Sequence, residues 1–159
     1  MFREMRRKGQ LLNDAEAYRM LDEGKSGVLA LAGDGGYPYA VPLSYVYDDG
    51  RIFFHGAKSG HKIDAVRRCP KASFCVVAAD DVVPKEYTTY FKSVIAFGKI
   101  RIVEDSEEAM YAALKLAAKY NPSDSEQGRK EAVMKEWRQL CIMELTVEHM
   151  TGKAARELI

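Results

Sequence analysis

Cysteine is scarce in this chain, and its few copies are scattered. The three cysteines, Cys69, Cys75 and Cys141, form no CxxC pair, and an odd number leaves one of them outside any disulfide scheme. We therefore expect a reducing compartment, the cytoplasm. Cys75 and Cys141 are embedded in apolar, strand-like stretches, which predicts that both are small core residues.

Long apolar runs and an excess of one charge are also absent. No apolar stretch approaches the ~20 residues of a membrane-spanning helix, and the basic segment MFREMRRKG lacks the apolar region of a secretory signal. The 24 Lys and Arg residues nearly balance the 23 Asp and Glu residues. Because such a surface has no field that attracts nucleic acid or anionic membrane, we expect neither as a partner.

The composition is that of an ordinary globular protein. The chain has 159 residues, of which 47% are hydrophobic and 30% charged. No repeat, low-complexity segment or linker divides it. These features predict a single domain that spans residues 1–159.

Four segments carry helical signals. Residues 13–24 begin with an Asn-Asp cap signal and end at a glycine, with apolar residues at helical spacing. Residues 106–120 give the clearest helix, with Ser106 as its cap, glutamates in its first turn and lysines in its last. Residues 63–68 and 124–137 predict two further helices.

Three strand-like segments follow one another in the first third of the chain. They are residues 26–32, 37–48 and 51–56, joined by the turn sequences GDGG and DDG. This spacing predicts an antiparallel meander. Pro38 and Pro42 lack the N–H that a strand donates to its neighbour, so the second strand is expected at a sheet edge or at a bulge.

The later strands complete a mainly β pattern. Residues 71–79, 87–105 and 140–153 are apolar, β-branched or aromatic, and the middle segment is long enough for one bent strand or two. About six strands with helices inserted between them predict a small closed or partly open β-barrel rather than a doubly wound sheet.

The segment FHGAKSGHK (54–62) is crowded with groups that can take part in chemistry. His55 and His61 lie six residues apart, and no Cys or acidic residue is spaced to complete a zinc motif, so no metal is expected. Nucleophilic catalysis lacks the GxSxG turn that would present a serine. The serines considered for that role are Ser44, Ser59 and Ser93.

Anion binding suits this segment better. Gly56 and Gly60 allow close approach of the backbone, and a helix that begins after Ser59 presents free N–H groups and its positive dipole end. His61 and Lys62 add donors in the first turn. The alternative is an ordinary solvated basic turn. The Walker and GxGxxG patterns are absent, so a phosphate here would not use a P-loop or a Rossmann site.

The central residues resemble a known family. The block PYxVPLSYxYxxGxxxFHxAxxGHKxD within residues 36–77, with KSVIAFGKIRIVED (92–105) and TGK (151–153), resembles the pyridoxamine 5′-phosphate oxidase-like flavoproteins, and within them the nitroimidazole-resistance branch. The resemblance covers nearly the whole chain. It implies a mainly β fold, an antiparallel six-stranded split β-barrel with peripheral helices, which binds FMN as a homodimer with the flavin at the subunit interface.

The resemblance also implies where the flavin is held. Residues 41–44 would lie along the isoalloxazine ring through backbone groups, and residues 54–57 beside the ribityl chain and phosphate. The turn 59–62 would bind the phosphate, although this chain has His61 where oxidases of the wider family have Arg. The implied FMN contacts are Val41, Pro42, Leu43, Ser44, Phe54, His55, Gly56, Ala57, Ser59, His61, Lys62, Ser93, Val94, Ile95 and, from the same chain or the partner subunit, Lys153.

The implied function is less specific than the implied cofactor. The C-terminal segment VEHMTGKAARELI offers only His149 and Arg156 for the substrate-phosphate set of the true oxidases, which disfavours vitamin B6 oxidation. We expect an FMN-dependent oxidoreductase that reduces nitroimidazoles or a similar small-molecule electron acceptor. The alternative is a non-catalytic flavin- or haem-binding carrier. Only His55 and Tyr39 are candidates for acid–base work, and no catalytic residue is assigned.

Overall fold

Local capping signals set the positions of the helices. The computed structural model of the chain describes residues 1–159 and contains four α-helices. These are α1 (Asp14–Glu23), α2 (His61–Arg68), α3 (Ser106–Tyr120) and α4 (Glu126–Glu136). The predicted cap of α3 was wrong by one residue: the carboxylate of Asp105, not Ser106, accepts the Glu108 N–H at 2.9 Å, because Asp105 has the extended backbone that a cap requires.

Seven strands form one antiparallel sheet. They are β1 (Ser26–Ala32), β2 (Pro38–Ser44), β3 (Val46–Asp48), β4 (Arg51–Ala57), β5 (Lys71–Val83), β6 (Thr88–Ile102) and β7 (Leu140–Ala154). Their spatial order is β2-β1-β5-β6-β7-β4-β3. The segment that sequence left open as one strand or two is the single strand β6, whose pairing register with β7 shifts between Phe97 and Gly98.

The seventh strand comes from a break at Tyr45. Sequence alternation predicted one strand over residues 37–48, the middle strand of a three-stranded meander, and hence about six strands in all. In the structure the Tyr45 side chain is fully buried, and its hydroxyl donates to the Leu21 carbonyl at 2.5 Å. The meander prediction was therefore wrong, because β2 pairs only with β1 while β3 pairs only with β4.

The same break closes the sheet into a split barrel. β2 and β3 are the two edge strands of the sheet, yet only Tyr45 separates Ser44 from Val46 along the chain. Since consecutive Cα atoms are about 3.8 Å apart, the two edges meet within about 8 Å. They meet without pairing, which leaves a seam. The predicted split barrel is confirmed, and the edge position of β2 explains how it tolerates Pro38 and Pro42.

Two apolar clusters hold the molecule together. The larger one fills the barrel and includes Phe54, Phe74 and Leu145. The smaller one packs α3 and α4 against the outside of β4 and β7, through residues such as Phe53 and Leu116. No helix has the length and apolar character needed to cross a membrane.

Candidate functional site

The N-terminus of α2 lies at the seam. The His61 ring stacks on the Tyr39 ring of β2, with centroids 4.0 Å apart and planes inclined by 21°. The next residue, Lys62, lies against Gly56 of β4. Two consecutive residues of α2 therefore contact strands that belong to different ends of the sheet.

A salt bridge anchors the other end of α2. Arg68 donates to the Asp34 carboxylate at 3.0 Å and to the Ala32 carbonyl at 2.9 Å. The same carboxylate lies 3.8 Å from Nε2 of His61. The turn between β1 and β2 thus contacts both ends of α2.

The first turn of α2 has unused donors. The caps of the other three α-helices, Asn13, Asp105 and Ser125, accept N–H bonds through their side chains, whereas Gly60 caps α2 with φ +127° and no side-chain bond. The first backbone N–H groups of any helix lack intrahelical acceptors. Together with the nearby ammonium of Lys62, they make this end of α2 suited to an anion.

Gly56 leaves the space that Lys62 occupies. A Cβ at residue 56 would stand 3.1 Å from Nζ and 3.3 Å from Cε of Lys62. Burial, and secondly the charge of Lys62, lower the pKa of the neighbouring His55. Both effects favour an uncharged imidazole next to the ammonium.

A cavity of ≈ 570 Å³ opens beside the seam. Four of the predicted FMN contacts line this cavity: Ser44, His55, Gly56 and Ala57. Its other walls are Ala113, Leu116, Ala117, Tyr120, Ala132, Val133, Glu136, Gln139 and Leu140, mostly from α3 and α4. Sequence reasoning missed these walls. The one available signal was the small residues on α3 and α4, which indicate close helix packing equally well.

Several predicted contact residues direct their side chains into the core. Val41 and Leu43 are half-buried against the main cluster. Phe54 is fully buried, edge-on to Phe74 with ring centroids 5.0 Å apart. Any ligand at the seam would meet these three residues through their backbone, whereas Pro42 and Ser44 are exposed.

The remaining predicted contacts form a second, separate group. Ser93 pairs with Lys153, and Ile95 pairs with Thr151, on β6 and β7. Val94 lies between them with a fully buried side chain. Lys153 is at the C-terminal end of β7, whereas β4 pairs with the beginning of that strand. Within one chain, the second group is therefore not brought to the seam.

The second group lies on an exposed apolar sheet face. A row of paired residues runs across five strands: Pro42, Val28, Cys75, Ile95 and Thr151. On this face Val28 is 40% exposed and Ile95 39% exposed.

The two cysteines that were predicted to be core residues differ in burial. The prediction is confirmed for Cys141, which is buried, and was wrong for Cys75, which is half-buried on this outer face. Burial raises the pKa of the Cys75 thiol.

Comparisons with known proteins identify relatives of this arrangement. The family model described as pyridoxamine 5′-phosphate oxidase matches residues 13–154. No curated protein sequence matches the chain.

Three solved structures share the fold. A candidate 5-nitroimidazole antibiotic resistance protein from Bacteroides thetaiotaomicron aligns with a TM-score of 0.75 at 19% identity, over 90% of this chain and 85% of that one. A FAD-binding protein from Mesorhizobium loti aligns with a TM-score of 0.64 at 22% identity, over 92% and 97%. A FAD and haem binding protein from Mycobacterium smegmatis aligns with a TM-score of 0.75 at 20% identity, over 93% and 74%.

Proposed function

The chain belongs to the pyridoxamine 5′-phosphate oxidase family, and we propose that it is an FMN-binding flavoprotein that transfers electrons to a small organic acceptor. The observation that carries this proposal is the N-terminus of α2. Its first turn lacks a side-chain cap and stands between Tyr39 of β2 and Gly56 of β4, with Lys62 held against the glycine.

The phosphate of FMN fits this end of α2. A dianionic phosphate is stabilised by helix N–H groups and by one or two cations. Lys62 supplies an ammonium, His61 a ring nitrogen and Ser59 a hydroxyl that caps no helix. The alternative of a solvated basic turn explains less, because it gives no reason for Gly56 to leave space beside Lys62.

The free edge of β2 suits the isoalloxazine ring. Edge strands present unpaired backbone groups, and the ring carries polar atoms that such groups can bind. Pro42 cannot pair with a further strand through an N–H, which keeps this edge open for a ligand. The backbone of residues 41–44 would orient the ring, and the bound flavin supplies the electron-transfer chemistry.

The functional unit in this proposal is a homodimer. A contiguous apolar sheet face, including Val28 and Ile95, is exposed in the single chain, and such faces mark interaction surfaces. Ser93, Ile95 and Lys153 lie on the strands of that face. A second copy packed against it would bring these residues to the flavin of its partner, which accounts for their separation from the seam within one chain.

The proposed acceptor is a nitroimidazole or a similar small aromatic molecule. Support comes from the Bacteroides thetaiotaomicron protein, which is described by a role in 5-nitroimidazole resistance and shares the fold. The ≈ 570 Å³ cavity beside the seam is also of the size that small-molecule sites have.

A non-catalytic flavin or haem carrier is the second candidate. It is favoured by His55, whose imidazole borders the cavity and whose lowered pKa keeps it uncharged, the form that binds a metal. The Mycobacterium smegmatis protein of the same fold is described as binding FAD and haem.

Purification under native conditions tests these proposals. We expect a yellow protein whose flavin, released by denaturation, has the mass of FMN. After anaerobic photoreduction, a panel of 5-nitroimidazoles should reoxidise the flavin. A colourless protein that takes up no flavin would refute the proposed function. Bound flavin that no nitroimidazole reoxidises would favour the carrier, and a haem Soret band would favour its haem form.

A further inference from the structure

The cavity beside the seam has one wall that the flavin contacts do not explain. We propose that the half of the cavity formed by α3 and α4 is the site of the second reactant, and that Glu136 makes it favour neutral or cationic aromatic molecules over anionic ones. This inference rests on the proposed function, since it takes the other half of the cavity to border the flavin.

The walls of this half are mostly apolar. Ala113, Ala117 and Ala132 have short side chains, so the two helices leave an open volume between them and β4. Leu116 and Val133 make the rest of the surface apolar. A volume of this kind accepts a flat hydrophobic ring system.

Glu136 has the one carboxyl group among the residues that line the cavity. Among the lining residues the only other titratable groups are the His55 imidazole and the Tyr120 phenol. Lys62 contacts Gly56 but does not line the cavity. A carboxylate beside apolar walls repels an anionic ligand and attracts a cationic one.

The position of Glu136 gives its own helix no benefit. It lies at the C-terminal end of α4, where the helix dipole makes a negative charge unfavourable. It takes part in no salt bridge, and its side chain makes no hydrogen bond. Glu136 is exposed where it lines the cavity, so its carboxylate is free to interact with a ligand there. The nearby Gln139 adds a neutral donor and acceptor.

Three probes that differ mainly in charge test the selectivity. They are quinoline-3-carboxamide, its N-methylquinolinium derivative and quinoline-3-carboxylate, each titrated calorimetrically into FMN-loaded protein at neutral pH. We expect the amide and the cation to bind, and the carboxylate to bind roughly three- to fivefold more weakly than the amide, which is the discrimination that an exposed charge supports.

Matched variants connect the selectivity to the named residues. Glu136→Gln should abolish the preference against the carboxylate and Glu136→Lys should reverse it, while Glu131→Gln, the same change elsewhere on α4, should leave it intact. Ala132→Phe should block all three probes, whereas Ala132→Ser should not. Thermal unfolding and flavin absorbance of each variant identify any that fail to fold or to load.

The outcomes separate this inference from the proposed function. Equal affinity for all three probes, or selectivity unchanged in Glu136→Gln, would overturn the inference while leaving flavin binding intact. Probes that displace FMN would also overturn it, because the cavity would then belong to the cofactor. Absence of flavin uptake would refute the proposed function itself, and titration of the flavin-free protein would still report the selectivity of the cavity.

Discussion

Substituting Gly56 by alanine perturbs the proposed phosphate site without removing any of its ligands. The added Cβ would stand 3.1 Å from Nζ and 3.3 Å from Cε of Lys62. Both atoms belong to the flexible end of a side chain, so the ammonium can move away and the backbone stays in place. Alanine is favoured over glycine in a strand interior by ~0.5–1 kcal/mol, so we expect no loss of folding stability.

The loss of FMN affinity can be bounded from the role of Lys62. A hydrogen bond to a charged group contributes about 1.5–3 kcal/mol. Lys62→Ala removes it entirely, so the Kd for FMN should rise roughly 10- to 150-fold. Gly56→Ala only displaces the ammonium, and we expect a smaller rise, of about three- to tenfold.

The double variant provides the decisive measurement. If Gly56→Ala acts through Lys62, it should have almost no further effect in the Lys62→Ala background. FMN titration followed by flavin fluorescence gives all four affinities. Lys71→Ala removes an equal charge from the exposed start of β5 and serves as the control. Full additivity of the two changes, or equal losses in Lys62→Ala and Lys71→Ala, would refute a phosphate site at this end of α2.

Three further predictions follow from the fold and its ionisable groups. Tyr45→Phe should lower the free energy of unfolding by about 1–3 kcal/mol in urea titrations, since it leaves the buried Leu21 carbonyl without its donor; an unchanged midpoint would contradict this role. Ile95→Asp should convert a dimer to a monomer in light scattering and lower flavin retention, and a stable dimer would place the interface elsewhere. Because the pKa of His55 is lowered in the folded protein, the unfolded chain takes up a proton on this residue at a higher pH than the folded chain does. Acidification below the ordinary pKa of about 6.5 should therefore destabilise the native protein. His55→Gln should reduce this loss, and parallel stability profiles of the two proteins would argue against a partly desolvated, neutral His55.

Much of the local structure follows from short-range signals in the sequence. The helix at 13–24 was predicted closely because Asn13 accepts the Glu16 N–H, an interaction within one helical turn. The DDG hairpin formed as predicted, since Asp49 and Gly50 adopt the positive φ that such a turn needs. The segment FHGAKSGHK predicts an anion site from equally local features, the glycines and basic groups at the start of a helix, and this stays a prediction.

The pairing of the strands could not be predicted from such short-range signals. The alternation of residues 37–48 continues through Tyr45, and nothing nearby shows that this side chain turns into the core to meet Leu21 of α1. The segment predicted as one strand therefore forms β2 and β3, which are the two opposite edges of the sheet. The choice depends on which long-range contacts bury the most surface, and a local pattern contains no information about them.

The same distinction applies to the candidate site. The residue types that suit a phosphate, such as Gly56 and Lys62, are recognisable from the amino-acid sequence, as is the family to which the chain belongs. Folding adds that His61 and Lys62 contact strands from opposite ends of the sheet, that α3 and α4 line a cavity beside the seam, and that Ile95 faces outward. Each of these facts depends on contacts between residues far apart in the chain, which form only when the barrel closes.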